Sequence, residues 1–170
     1  MTNLVLVGIP GAGKTTVGKL LSDALNLPFV DSDLEIQTRT GKSVAQIFTQ
    51  DGEKFFRELE ARTVSEILSS NNQVVSLGGG ALGNEQTRDL VKQQTVIWLV
   101  ASLSGAVSRI GLNRNRPLLL GNVRGQLSDL MKIREPIYRE VSTYSIDTSD
   151  LRPDEVVAEI IKVLKQGSGL

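Results

Sequence analysis

The sequence predicts an α/β fold of three layers, with helices on both faces of a five-stranded parallel sheet. Three observations predict it. Short apolar runs alternate with longer stretches of helical periodicity along the chain. Gly- or Asp-rich corners follow the first three apolar runs. The 170 residues, 40% of them hydrophobic, contain no Pro/Gly/Ser-rich linker and suit one domain spanning 1–170. Strand–helix alternation implies right-handed crossovers, and ligands of such sheets sit beyond the carboxyl ends of the strands. The three corners are therefore expected to share one cleft.

The elements follow in order. Leu4 to Val7 is a buried strand ended by a Gly-rich turn. Thr15 to Leu25 is a helix, with Val17, Leu20, Leu21, Ala24 and Leu25 on its inner face. Pro28 to Asp31 is the second strand, and Ser43 to Phe48 and Glu53 to Leu68 are helices. Gln73 to Leu77 is the third strand, Asn84 to Lys92 a helix, Thr95 to Val100 the fourth strand and Leu103 to Arg109 a helix. The segment 111–125 is polar, basic and Gly-punctuated, and reads as a mobile lid. Leu127 to Ile133 is helical, and Pro136, which lacks an N–H, is expected to interrupt that helix or start another. Tyr144 to Asp147 is the fifth strand. Pro153 suits the first turn of a last helix that turns Val156, Val157, Ile160, Ile161 and Leu164 inward, before a frayed tail from Gln166.

Composition narrows the chemistry. Lys plus Arg and Asp plus Glu are both 19, so the net charge is zero, and no nucleic-acid partner is expected. There is no Cys and no His, which excludes disulfides, a Cys/His zinc site and any His base or Cys nucleophile. The apolar run at Leu4 is too short for a signal or a membrane span, so a cytoplasmic protein without membrane contact is expected.

Gly8-Ile9-Pro10-Gly11-Ala12-Gly13-Lys14-Thr15 matches the phosphate-loop pattern G-x-x-x-x-G-K-[ST], after a strand and opening a helix. Backbone N–H groups of Gly11, Ala12 and Gly13 are placed to cradle phosphate oxygens, aided by the helix N-terminus. Lys14 is expected on the β- and γ-phosphates, Thr15 on Mg²⁺, and Thr16 on the α-phosphate. The motif marks a nucleotide site and leaves the reaction open. No N-K-x-D guanine-reading motif occurs, which argues against a GTP switch.

The acceptor is read from the other corners. In Asp31-Ser32-Asp33, Asp31 is expected to hold Mg²⁺, directly or through water, and Asp33 to take the proton of a substrate hydroxyl. A helix N-cap with an acidic first turn is the plainer alternative. Gly78-Gly79-Gly80 allows close backbone approach to an anion or hydroxyl, or is simply a tight turn. Arg57 and Arg134 are a candidate pair for a carboxylate, which guanidinium forks bind bidentately, and solvated helix faces are the alternative. Phe48 and Phe56 are candidates for the pocket floor or for ordinary core. Arg116, beside Arg114 and between the possible hinges Gly111 and Gly121, is expected to reach the transferring phosphoryl group on closure.

Together these segments resemble shikimate kinase over nearly the whole chain. The resemblance rests on the phosphate loop, Asp31-Ser32-Asp33, Phe55-Phe56-Arg57, Gly78-Gly79-Gly80, Arg116-Pro117-Leu118 and the run Arg134 to Glu140, in this order. It implies a P-loop NTPase fold with sheet order 2-3-1-4-5, related to nucleoside monophosphate kinases. It implies transfer of the ATP γ-phosphoryl group to the 3-hydroxyl of shikimate, on the way to chorismate and aromatic amino acids, by a monomeric enzyme. Under it Asp33, Arg57, Gly79 and Arg134 contact shikimate within an acceptor segment of about 32–62 and its neighbours. Lys14, Thr15 and Asp31 handle phosphate and Mg²⁺, Arg116 serves the lid, Arg109 stacks on adenine and Arg152 lies near the same base. The alternatives are a kinase for another small hydroxy acid such as gluconate, a nucleoside monophosphate kinase, and a non-catalytic nucleotide-binding module.

Overall fold

A computed structural model describes residues 2–112 and 122–167, the side chain of Leu112 excepted. Five parallel strands form one sheet of order 2-3-1-4-5. They are β1 (Leu4–Val7), β2 (Phe29–Asp31), β3 (Val74–Ser76), β4 (Thr95–Val100) and β5 (Tyr144–Asp147). Central β1 and β4 bury Val5, Leu6, Val7, Val96, Ile97, Trp98 and Leu99, as strands covered on both faces must. The register aligns Leu6 with Ser76, and Ser76 with Asp31. The carboxyl ends of β1, β3 and β2 are therefore level, and the three corners that follow them lie side by side.

Eight helices cover the sheet among the described residues: α1 (Lys14–Leu25), α2 (Ser32–Thr40), α3 (Val44–Gln50), α4 (Glu53–Ser69), α5 (Glu85–Lys92), α6 (Leu103–Leu112), α7 (Val123–Val141) and α8 (Pro153–Gly167). A short 3-10 turn, Ala81–Gly83, precedes α5. Caps explain several starts. The Ser43 side chain accepts from the Gln46 N–H while Gln46 accepts from the Ser43 N–H, and Asn84 caps α5 through Thr87. No described helix is long and apolar enough to cross a membrane.

Four expectations are corrected. The buried face of α1 is Val17, Gly18, Leu21 and Ser22, whereas Leu20 and Ala24 are exposed. The cause is Phe29 of β2, whose ring lies so close to Gly18 that an added Cβ would sit 2.4 Å from it. A small residue, not a large one, marks that contact. Next, α2 begins the helical acceptor segment expected over about 32–62, although the element-by-element reading gave no separate helix between the second strand and Ser43. It begins at the Asp31 corner, where Asp31 Oδ1 accepts from the N–H groups of Asp33 and Leu34. Third, α7 runs unbroken through Pro136, which removes one N–H from the ladder without ending the helix. Fourth, both bounds of the loop expected over 111–125 fall in helices: Gly111 lies within α6 and Gly125 within α7. Arg114, Arg116 and Gly121 lie outside the described residues, as do Ser168 to Leu170, while α8 continues through Gln166 to Gly167.

The Gly18 contact carries a prediction. Alanine in a helix interior gains about 0.5–1 kcal/mol over glycine. Forcing a methyl against a packed ring costs about 1–3 kcal/mol, so the clash wins. Gly18→Ala is expected to lower the urea midpoint with an unchanged slope; a raised midpoint would mean Phe29 swings aside freely.

Candidate active site

The loop after β1 wraps the start of α1. Gly11 and Gly13 have φ of 81° and 93°, in the left-handed region that glycine adopts without strain. No side chain caps α1, so its first N–H groups face the cleft with the positive end of the helix. Lys14 folds back across this loop, and its Nζ donates to the carbonyls of Gly8 at 2.8 Å and Ile9 at 3.1 Å. Arg109 of α6 donates from Nη1 to the Gly11 carbonyl at 3.0 Å, tying α6 to the same loop.

The second corner joins the first through side chains. The Thr15 hydroxyl donates to Asp31 Oδ2 at 2.9 Å. Asp31 thus divides its oxygens: one caps α2 and the other faces the phosphate loop. The cap therefore falls on Asp31, one residue before the Ser32-Asp33 pair on which the capping alternative rested. Ser32, fully buried, accepts from the Gly78 N–H at 2.9 Å and links the second corner to the third.

The third corner explains its three glycines. A Cβ built on Gly78 would lie 2.4 Å from Asp33 Oδ1, on Gly79 2.8 Å from Arg134 Nη1, and on Gly80 2.4 Å from Arg57 Nη1. Each glycine thus leaves room for one of the three acceptor-side residues. No backbone turn needs three glycines; this crowd of side chains does.

Arg57 is held firmly. Its Nη1 donates to Glu60 Oε1 at 2.7 Å, and its Cζ lies 5.3 Å from the Phe56 ring centroid and 5.7 Å from that of Phe48. The two rings are 4.7 Å apart, and Phe56 packs with Ile36 and Ile47 in a small core of its own. The structure gives them the core role; neither is among the residues lining the cavity described below. Glu60 is buried, and desolvation pushes its carboxyl pKa up despite the opposing Arg57 guanidinium. Asp33 and Arg134 also act on Glu60 electrostatically, which places all four charged groups in one neighbourhood. Glu60 escaped the sequence reading; the available signal was its position three residues after Arg57, on the same helical face.

A cavity of about 1090 Å³ joins the corners. Lys14, Thr15, Thr16, Asp31, Asp33, Gly78, Gly79 and Arg109 are among its lining residues. Gly80, Arg57, Arg134, Phe48 and Phe56 are not among the lining residues; the Arg134 and Arg57 guanidinium groups lie against Gly79 and Gly80 at the cavity's glycine corner. Arg152 stands apart: its side chain is mostly exposed before α8, bonded to Asp154 at 3.2 Å and outside the cavity lining. The arrangement puts a phosphate cradle and Asp33 in one cleft, with two guanidinium groups against the adjoining glycine corner, which suits phosphoryl transfer to a small hydroxylated anion.

Comparison with known proteins agrees. The family model "Shikimate kinase" matches residues 10–165. A shikimate kinase of Thermobifida fusca is 47% identical over 160 residues, covering 94% of this chain and 93% of the relative. One from Rhodococcus jostii is 42% identical over 163 residues, covering 95% and 97%. The solved structure of Acinetobacter baumannii shikimate kinase in complex with shikimate superposes with a TM-score of 0.94 at 37% identity, covering 98% of this chain and 94% of that one.

Proposed function

The chain belongs to the shikimate kinase family, and from that premise we propose how its residues divide the work. The enzyme transfers the γ-phosphoryl group of ATP to the 3-hydroxyl of shikimate, giving 3-phosphoshikimate and ADP on the route to chorismate and aromatic amino acids. The observation that carries the assignment of residues is the glycine corner, whose three members each abut Asp33, Arg134 or Arg57 beside the phosphate loop.

In this reading the amides of Gly11, Ala12 and Gly13, with Lys14 and Thr16, hold the nucleotide phosphates. Lys14 leaves the Gly8 and Ile9 carbonyls to do so, exchanging neutral acceptors for charged ones. Mg²⁺ fits the donor set, because Thr15 and Asp31 offer hard oxygens 2.9 Å apart. Among the described residues no cluster of three or more His, Cys, Asp or Glu offers a rival site. When bound there, the ion neutralises charge on the β- and γ-phosphates.

Arg57 and Arg134 clamp the shikimate carboxylate, Gly78 to Gly80 let the ring approach closely, and Phe48 and Phe56 back the clamp. Asp33 accepts the hydrogen bond of the 3-hydroxyl, orients its oxygen towards the γ-phosphorus and draws off its proton. Arg109 takes the adenine side. Arg116 and Arg152 are assigned from the family pattern to the transferring phosphoryl group and the base. The unit is one kinase domain over 1–170, active as a monomer in the cytoplasm.

The test is ADP release with shikimate, with gluconate and with no acceptor. Turnover is expected with shikimate alone. Equal rates with gluconate, or ATP hydrolysis indifferent to shikimate, would overturn the reading.

A further inference from the structure

Tyr138 has a role that neither the motif nor the family's name assigns to it, and its case rests on the reading of Arg134 as half of the carboxylate clamp. Tyr138 lies one helical turn after Arg134 on α7, so the two side chains share a face. Only 2% of Tyr138 is exposed. Its ring packs on Trp98 of β4, with centroids 6.0 Å apart. A phenylalanine would fill that space as well, so packing does not account for the hydroxyl.

The hydroxyl sits at a junction. It donates to the Gly79 carbonyl at 3.3 Å. The Arg134 guanidinium opposes the effect of burial on the same phenol, so its charge lies in the phenol's neighbourhood. Gly79 in turn faces Arg134, whose Nη1 occupies the place of the missing Cβ. A phenol has one proton to give and lone pairs to accept with, so it can serve both neighbours at once. Phenol and guanidinium thus meet the same residue, one at the Gly79 carbonyl and the other where its side chain would be. On the other side of the corner, Ser32 accepts from the Gly78 N–H. The glycine corner is suspended between two buried hydroxyls, one from α2 and one from α7.

We propose that Tyr138 is a positioning residue for the acceptor half of the site, its hydroxyl setting the spacing between the Gly79 backbone and the Arg134 guanidinium. Burial pushes the phenol pKa up to about 12, so the donor keeps its proton wherever the enzyme is assayed. Without the hydroxyl, the Gly79 carbonyl loses a partner, and the backbone that the Arg134 guanidinium lies against is less firmly placed. The guanidinium then samples more rotamers, and part of the energy of binding shikimate goes into ordering it.

The experiment compares Tyr138→Phe with the unaltered full-length enzyme. Loss of one buried hydrogen bond predicts a rise of about five- to tenfold in the KM for shikimate, with the KM for ATP and kcat within about twofold. A merely structural role would move both substrates together, or neither, and either result overturns the proposal. Tyr138→Met, which also lacks a donor but adapts to irregular space, asks the same question if the phenylalanine variant does not fold. A double-mutant cycle with Arg134→Lys adds a second readout. If Tyr138 acts through Arg134, Tyr138→Phe adds little to an enzyme already carrying Arg134→Lys; full additivity counts against the proposal. Arg134→Ala separates the layers: an unchanged shikimate KM in that variant removes the clamp itself, and the role of Tyr138 with it. A raised KM there beside an unmoved one in Tyr138→Phe removes only the latter.

Discussion

Asp33→Asn is expected to lower turnover by about 10²- to 10⁴-fold while leaving ATP affinity nearly unchanged, the range that a positioned proton acceptor contributes. Asn keeps the size of the side chain and one oxygen, so the α2 start and the packing against Gly78 survive. What disappears is the negative charge that draws the hydroxyl proton. The surroundings favour a clean result. Asp33 raises the carboxyl pKa of neighbouring Glu60, so removing its charge eases that buried group rather than straining it. The nucleotide side is built from Gly11 to Thr16 on α1 and its loop, separate from the α2 turn that carries Asp33. The measurements are kcat from ADP release and ATP affinity from Trp98 fluorescence or calorimetry. An undiminished kcat removes Asp33 from the mechanism. A loss of only a few-fold, with a weakened shikimate KM, reduces it to an orienting hydrogen bond, which a loose phosphoryl-transfer transition state tolerates.

The parts of this site were legible in the sequence to very different degrees. The phosphate loop was complete because its chemistry is local: glycines, Lys14 and Thr15 act from one turn between a strand and a helix. The strands were legible because a sheet covered on both faces needs continuous apolar runs, and β4 and β5 fall on the residues that the pattern marked. Sheet order was another matter. No periodicity fixes which strand neighbours which, and the order 2-3-1-4-5 came from the resemblance. The failures share a cause. The inner face of α1 depended on Phe29 of another element meeting Gly18, and the partner of the Tyr138 hydroxyl lies in a distant segment; Glu60, three residues from Arg57 on the same helix, is the exception. Gly79 and Tyr138 are 59 residues apart, and no window of sequence contains them both. The Asp31 corner is the instructive case, because the capping alternative rested on Ser32-Asp33, whereas Asp31 itself caps α2 with one oxygen and meets Thr15 with the other.

Gly80→Ala is the sharpest probe of the carboxylate clamp, and it is expected to act without removing any functional group. The new methyl would fall 2.4 Å from Arg57 Nη1 and 2.5 Å from Nη2, so the guanidinium must retreat. Its retreat is opposed by Glu60 at 2.7 Å and by the Phe48 and Phe56 rings, so it cannot settle into an equivalent position. Charge-assisted hydrogen bonds contribute about 1.5–3 kcal/mol, so misplacing one fork predicts a shikimate KM raised about 10- to 100-fold with the ATP KM unmoved. The obvious alternative, Arg57→Ala, gives the same selectivity with a confounding loss of stability. It leaves the buried Glu60 without the half-exposed Arg57 guanidinium, and an unsatisfied buried polar group costs about 1–3 kcal/mol unless the carboxyl takes up a proton. Arg57 is also the group that holds the Glu60 pKa down against desolvation, so its removal raises that pKa further and favours the protonated form. Comparing the two variants separates geometry from charge. If Gly80→Ala leaves the shikimate KM unchanged while Arg57→Ala raises it, the guanidinium acts as a mobile charge and the glycine corner is only a turn. If both raise it and only Arg57→Ala lowers the urea midpoint, the three glycines exist to seat three side chains.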